Sequence, residues 1–189
     1  MMAVFGNDTS IGGTNPFGTD WVILIKASPD SSGIINSASF YGYTDSGATR
    51  NFRGVIYSYD SSSSGTLLAY TDDVAYTNTS ASKLTASFSG DNIIEVSSGT
   101  NYWIGIHGDG GGVGNLSYVR ATTTYTPSED IYFGSSGIST TFSNPPVASF
   151  TGGVSGGGTY AYVTASISYT IPPTIQGIST IQGINSITL

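Results

Sequence analysis

The sequence predicts an all-β protein, an antiparallel β-sandwich of jelly-roll type with almost no helix. Residues that favour strands are abundant, including 13 tyrosines and 24 threonines. The 26 glycines, together with short Asp and Ser clusters, break the chain into brief segments. Apolar and polar residues alternate between these breaks and predict about nine strands, at the spacing that a two-layer sandwich requires.

The first three predicted strands are the most regular. Residues 21–26 are apolar on both faces, which predicts a central strand that is buried on both sides. Residues 34–44 and 51–59 follow, each after a turn rich in Asp, Ser and Gly. In the third strand Val55, Tyr57 and Tyr59 share one face, and Phe52 and Ile56 share the other.

The later strands are shorter or less regular. Residues 102–107 form the most apolar of them, and residues 159–171 form a long last strand with alternating apolar positions. Between these two, Pro145 and Pro146 interrupt regular structure because proline cannot donate to a ladder. The remaining predicted strands are residues 66–70, 84–88, 93–96, 116–120 and 131–133.

A different pattern begins after Pro172 and Pro173. The chain then reads TIQGIS, TIQGIN and SITL, and an isoleucine recurs at every third residue: Ile175, Ile178, Ile181, Ile184 and Ile187. A period of three fits neither a strand nor a helix. We therefore predict a sandwich domain over residues 1–171 and an extended arm over residues 172–189. The five isoleucines are the predicted contacts of this arm, either with neighbouring subunits or around a three-fold axis, and folding back on the chain's own domain is the alternative.

Composition excludes several functions. With 12 acidic and 5 basic residues, the chain lacks the basic clusters that bind nucleic acid. There is no cysteine and only one histidine, so we expect no disulfide, no metal site and no cofactor. Residues 1–13 do not read as a secretory signal, and no apolar run is long enough to span a membrane. These features together favour a protein that is made in the host cytoplasm and acts in a virion.

Two groups of side chains are candidates for chemistry or binding. His107 with Asp109 is the nearest approach to a catalytic pair, but no nucleophile motif accompanies it, so we expect no enzyme. Tyr102 and Trp103, like the segment Tyr41-Gly42-Tyr43, offer rings that can stack on a sugar. Alternating aromatics on strands are more often core residues, and we weigh that interpretation above the sugar platform.

Four segments resemble a sandwich domain that is common in phage and bacterial surface proteins. They are FGNDTSIG at residues 5–12, RGVIYS at 53–58, GTLLA at 65–69 and VSSGTNYWIGI at 96–106. The resemblance implies a jelly-roll-like structural or adhesive module, often on virions, and it implies no catalytic residue.

The sequence therefore predicts a bacteriophage virion structural protein. We expect a capsid decoration, or cement, protein that binds the major capsid protein and stabilises the coat lattice, with a tail or fibre component as a variant. A homo-oligomer is expected, and a trimer is favoured. A carbohydrate-binding or adhesion module that contacts surface glycans is the alternative.

Overall fold

The chain is built from β-strands in the part that its structure, a computed structural model, describes. That part comprises residues 2–7, 10–16, 22–44, 47–109, 116–121, 131–133, 142, 146, 148–151 and 163–168. These residues form fourteen strands, one 3-10 turn at Gly90–Asn92 and no α-helix. The strands are β1 (Met2–Asn7), β2 (Ser10–Pro16), β3 (Val22–Ala27), β4 (Gly33–Thr44), β5 (Arg50–Ser58), β6 (Ser64–Tyr70), β7 (Val74–Tyr76), β8 (Ser82–Ser87), β9 (Glu95–Val96), β10 (Tyr102–Gly108), β11 (Leu116–Ala121), β12 (Ile131–Phe133), β13 (Ser149–Thr151) and β14 (Val163–Ser168).

The strands pair into two antiparallel sheets of seven strands each. The β4 sheet has the order β1-β14-β4-β11-β2, and both β8 and β9 also pair with β4. The β10 sheet has the order β12-β3-β10-β5-β6-β13, and β7 also pairs with β5. The predicted all-β antiparallel sandwich is therefore confirmed, whereas its jelly-roll connectivity stays a prediction.

The two sheets enclose one hydrophobic cluster, which we call the inner cluster. Phe40 of β4 meets Phe52 of β5 edge to face, with 4.9 Å between the ring centroids. Both rings are fully buried, as are Ile56, Ile104 and Ile106 from the middle of the β10 sheet. Aromatic pairs of this geometry add to the free energy gained by burial. The inner cluster thus joins the two layers of the sandwich.

A second cluster, the outer cluster, covers the opposite face of the β10 sheet. Its buried members are Val22, Leu24, Val55, Tyr57, Trp103 and Phe150. Because successive side chains of a strand point to opposite faces, β3 contributes Val22 and Leu24 to the outer cluster but Ile23 and Ile25 to the inner one. The prediction that this strand is buried on both sides is confirmed.

The predicted faces of β5 are also confirmed. Val55 and Tyr57 lie in the outer cluster, with the partly buried Tyr59 packed against it, and Phe52 and Ile56 lie in the inner cluster. The centre of the β10 sheet is therefore buried from both sides. This is the arrangement expected of strands whose apolar residues occupy both faces.

Gly105 allows β3 and β10 to approach each other closely. A Cβ atom built on Gly105 would lie 1.9 Å from the carbonyl oxygen of Ile23, far inside van der Waals contact. In the antiparallel register Gly105 pairs with Leu24 on one side and with Val55 on the other. Only glycine fits this central position without displacing the neighbouring backbone.

Four strands escaped sequence-based prediction: β1, β2, β7 and β13. β2 reads SIGGTNP and lacks alternation, so its pairing with β11 defines it as a strand. β7 and β13 have only three residues each, too few to show a period of two. Of the predicted last strand the structure describes β14, and residues 172–189, with the five isoleucines of the predicted arm, lie outside the described residues.

Candidate functional site

Trp103, half of the predicted sugar platform, is a core residue. Its side chain is fully buried, and its ring lies 5.1 Å from that of Tyr59 and 6.4 Å from that of Phe150, measured between centroids. The indole Nε1–H donates to the carbonyl oxygen of Ser64 at 3.1 Å. A ring that stacks on a sugar must present a face to solvent, and this ring presents none.

Tyr102, the other half, lies on the opposite face of β10 in the inner cluster. It is 8% exposed, and its hydroxyl accepts a hydrogen bond from the backbone N–H of Ser97 at 3.0 Å. The two neighbouring rings are therefore separated by the sheet itself. Tyr102 and Trp103 therefore do not share a surface that could bind a sugar. The positions of both fit the interpretation that they are core residues.

A polar cluster interrupts the outer face of the β10 sheet beyond the outer cluster. Arg53 and His107 are directly opposite each other in the antiparallel register of β5 and β10. Both side chains are buried, each with 1% of its surface exposed. Arg53 occupies the same face as Val55 and Tyr57, because alternate residues of β5 share a face. The chain therefore places a permanently charged group at a position where its own pattern is apolar.

Phe142 covers both members of this pair. Its ring centroid lies 4.2 Å from the guanidinium carbon of Arg53 and 5.0 Å from the centroid of the His107 ring. The histidine and phenylalanine rings meet edge to face, at an interplanar angle of 66°. A guanidinium over an aromatic face is attracted by the ring quadrupole, and the attraction grows when water is excluded.

Asp73 supplies an opposite charge to Arg53. One carboxylate oxygen lies 2.8 Å from Nη2 of Arg53, and 42% of the aspartate side chain is exposed. Removing a guanidinium from water costs several kcal/mol unless hydrogen bonds and an opposite charge compensate it. Because Asp73 reaches the ion pair from the surface, the pair spans the boundary between the covered face and solvent.

Asp109 extends the cluster toward the loop after β10. Its two carboxylate oxygens accept hydrogen bonds from the backbone N–H and the side-chain amide of Asn51, both at 2.9 Å. The backbone N–H of Asp109 in turn donates to the carbonyl oxygen of Asn51 at 3.1 Å. The carboxylate that the sequence offers as a partner for His107 is therefore bonded to the beginning of β5.

These contacts act as a clasp that ties four stretches of chain together: β5, β10, the connection at Asp73 and the segment at Phe142. We call Arg53, Asp73, His107 and Phe142 the Arg53 clasp. A buried cation held between a carboxylate and an aromatic ring fixes the relative positions of the segments that supply these groups. The contacts are therefore structural in character. Within the described residues, no group of three or more potential metal ligands lies close enough to hold a metal ion.

Sequence reasoning missed Arg53 and Phe142. Arg53 could have been found from the sequence, since it is the one charged residue on the face of β5 that Val55 and Tyr57 share. Phe142 carried none, because nothing in its local sequence indicates that it lies over β5 and β10. Long-range contacts of this kind are set by how the chain returns to the sheet, and strand periodicity does not encode that return.

Comparison with known families and with curated proteins gives no match to this chain. The likeness of its motifs to phage and bacterial surface sandwiches therefore stays a prediction. Three of the four motifs fall on neighbouring strands, since residues 53–58 lie in β5, residues 65–69 in β6, and residues 96–106 include most of β10. None of the helical structure in the described residues is long and apolar enough to cross a bilayer.

Proposed function

We propose that the chain is a structural protein of a bacteriophage virion, a capsid decoration protein that binds the major capsid protein and stabilises the coat lattice. A tail or fibre component is the variant of the same role. The observation that carries the proposal is that the β10 sheet is buried on both faces. A protein that reinforces a capsid must transmit force without opening, and a central sheet with a hydrophobic core on each face resists separation of its layers.

The clasp and the outer cluster add to this stiffness. Phe150 packs edge to face on Tyr57, with 5.3 Å between the ring centroids, and Phe142 lies on Arg53. Phe142 and Phe150 thus both pack against residues of the outer face of the β10 sheet. Between them Pro146 is also buried. Close packing of this kind makes the interior stiff, because few side chains have room to move.

The surface chemistry supports adhesion through many weak contacts. The chain has 12 acidic and 5 basic residues, and 30 serines and 24 threonines supply hydroxyl groups. Among the described residues Val4, Leu68 and Ile93 are large apolar side chains with 40% or more of their surface exposed. A surface of this composition suits contact with another protein better than contact with a phosphate backbone.

The isoleucine arm supplies the specific partner contacts in this proposal. The arm, residues 172–189, begins with Pro172 and Pro173, which stiffen the chain where it leaves the sandwich. Each isoleucine that becomes fully buried contributes roughly 1.5–3 kcal/mol, so five of them can hold an extended segment against a neighbour. We propose that the arm joins subunits into a trimer or attaches them to the coat.

Truncation of the arm tests this function. We compare the full chain with a variant that lacks residues 174–189, by light scattering for oligomeric state and by cosedimentation with virus particles that lack the chain. The truncated protein is expected to remain folded but to lose both trimer formation and particle binding. Normal assembly of the truncated protein would contradict the role of the arm, and its unfolding would place residues 174–189 in the core of the domain itself.

A further inference from the structure

An open cavity of about 390 Å³ lies in the connection between β7 and β8. Six consecutive residues line it: Thr77, Asn78, Thr79, Ser80, Ala81 and Ser82. Five of the six carry a hydroxyl or amide group, and none is charged. All but Ser82 are exposed to solvent. We call this segment the hydroxyl loop.

Main-chain hydrogen bonds hold the hydroxyl loop against the end of β4. The carbonyl oxygen of Asn78 accepts from the backbone N–H of Thr44 at 2.7 Å and from the Thr44 hydroxyl at 3.3 Å. Thr44 is fully buried, so this anchor is itself fixed by its surroundings. On the strand that leads into the loop, the hydroxyl of Tyr76 donates to the carbonyl oxygen of Gly42.

The side chain of Thr79 meets a turn that only glycine suits. Gly47 has φ of +68°, and the methyl carbon of Thr79 lies 3.3 Å from the place that a Cβ of residue 47 would occupy. The loop is thus held at its start by Tyr76 and at Asn78 by Thr44, and the side chain of Thr79 lies in the space that a Cβ of residue 47 would need. A ligand entering the cavity would meet groups whose positions are already set, which lowers the entropic cost of binding.

The lining determines which ligands fit. The cavity volume lies within the range of about 300–1,000 Å³ that is typical of small-molecule sites. Each lining hydroxyl can both donate and accept a hydrogen bond, and the Asn78 amide, which donates one N–H to the Ser82 hydroxyl at 3.3 Å, keeps a second donor and an acceptor. A ligand with many neutral hydroxyl groups satisfies such a lining. A charged ligand would lose hydration without meeting an opposite charge in the loop.

Tyr41 does not belong to this cavity. Gly42 of β4 pairs with Ser82, the last lining residue, and Tyr41 pairs with Lys83 directly after it. Because paired residues share a face and successive residues alternate, the side chains of Tyr41 and Ser82 point to opposite faces of the sheet. The hydroxyl loop therefore offers hydrogen-bonding groups without an aromatic ring.

We propose that the hydroxyl loop is a binding site for a neutral saccharide. This inference does not depend on the virion role, and it moves the carbohydrate-binding alternative away from Tyr102 and Trp103, which are buried. The loop offers exposed polar groups where those two residues offer none.

A glycan array tests the site. The full chain is applied to an array of neutral and sialylated oligosaccharides, and its affinity for the best neutral ligand is measured by calorimetry. The same measurement is made on Asn78→Ala and Thr79→Val, which remove side-chain donors but leave the main-chain anchors. Thr100→Val, at an exposed threonine before β10 and outside the cavity, is the matched control.

We expect a neutral oligosaccharide to bind, each loop variant to lose about threefold to tenfold in affinity, and Thr100→Val to bind normally. Chemical-shift changes confined to residues 77–82 and their neighbours would support the same site in the unaltered protein. Binding of sialylated glycans alone, no binding to any glycan, or equal binding by the loop variants and the control would overturn the proposal.

Discussion

The ring of Phe142 lies over the guanidinium of Arg53, with 4.2 Å between the guanidinium carbon and the ring centroid. This contact closes the outer face of the β10 sheet over its buried charge, and Asp73 completes it from the surface. Asp73 compensates the charge from the connection before β7, and Phe142 covers it from a later part of the chain. Breaking either contact should therefore destabilise the environment of the buried guanidinium.

Asp73→Asn should destabilise the fold, because it removes an opposite charge that lies 2.8 Å from the buried Arg53 guanidinium. The expected loss in unfolding free energy is about 1–3 kcal/mol, toward the lower part of the range for buried pairs since Asp73 is partly exposed. Asp72→Asn makes the same charge change at the neighbouring exposed residue and should cost much less. Chemical denaturation of both variants measures the difference, and equal effects would refute the clasp.

Trp103→Ala should lower the unfolding free energy by about 3–5 kcal/mol, as expected when a buried aromatic residue is removed. The indole is fully buried and bonded to the carbonyl oxygen of Ser64. Val4→Ala, at a residue that is 52% exposed, serves as the control and should have little effect. An unchanged melting temperature for Trp103→Ala would show that the indole is not a core group.

Gly105→Ala should be among the most damaging small substitutions, because its Cβ would overlap the backbone of Ile23. We expect a loss of about 3 kcal/mol or failure to fold, since adjacent strands would have to move apart. Gly99→Ala is the comparison. Gly99 has φ of +71° and open space around it, so alanine there costs roughly 1–2 kcal/mol of backbone strain alone. Comparable stabilities of the two variants would contradict the close approach of β3 and β10.

Alkaline pH should destabilise the protein through Tyr76. Burial raises the pKa of the Tyr76 phenol from 10.0 to about 12, although a hydrogen bond with the Ser82 side chain lowers it in part. The folded state therefore favours the protonated phenol, and this contribution is complete below pH 10 and is lost as pH rises toward 12.

Tyr76→Phe isolates that contribution. At neutral pH this variant is less stable than the unaltered protein because it lacks the hydrogen bond to the carbonyl oxygen of Gly42. The difference in unfolding free energy should shrink as pH rises above 10, since only the unaltered protein has a phenol to ionise at this position. A difference that stays constant across this range would contradict the raised pKa.

The sequence predicted the centre of the molecule well. Long strands with apolar residues on both faces, such as the strand that holds Val55 and Ile56, can be recognised from the sequence alone. Their alternating pattern predicts the same buried positions that the structure shows. β2 and β13 were missed because their conformation depends on the partners β11 and β6 rather than on local preference.

The candidate sites were harder to predict. The sequence favoured a core position for Trp103, because aromatic residues at alternating strand positions are more often buried, and the structure places it there. The Arg53 clasp depends on Phe142, which reaches the sheet from a distant part of the chain. The hydroxyl loop depends on Thr44, whose hydrogen bonds with Asn78 form only when β4 and the β7–β8 connection are packed together.

The number of copies of the chain in purified virions tests the proposed function most directly. The measurement is quantitative mass spectrometry of virions made by the genome that encodes the chain, with the major capsid protein as the internal standard. A capsid decoration protein should be present in numbers comparable to the coat subunits, and a handful of copies would indicate the tail or fibre variant. Absence of the chain from the virion would contradict a structural role in the particle.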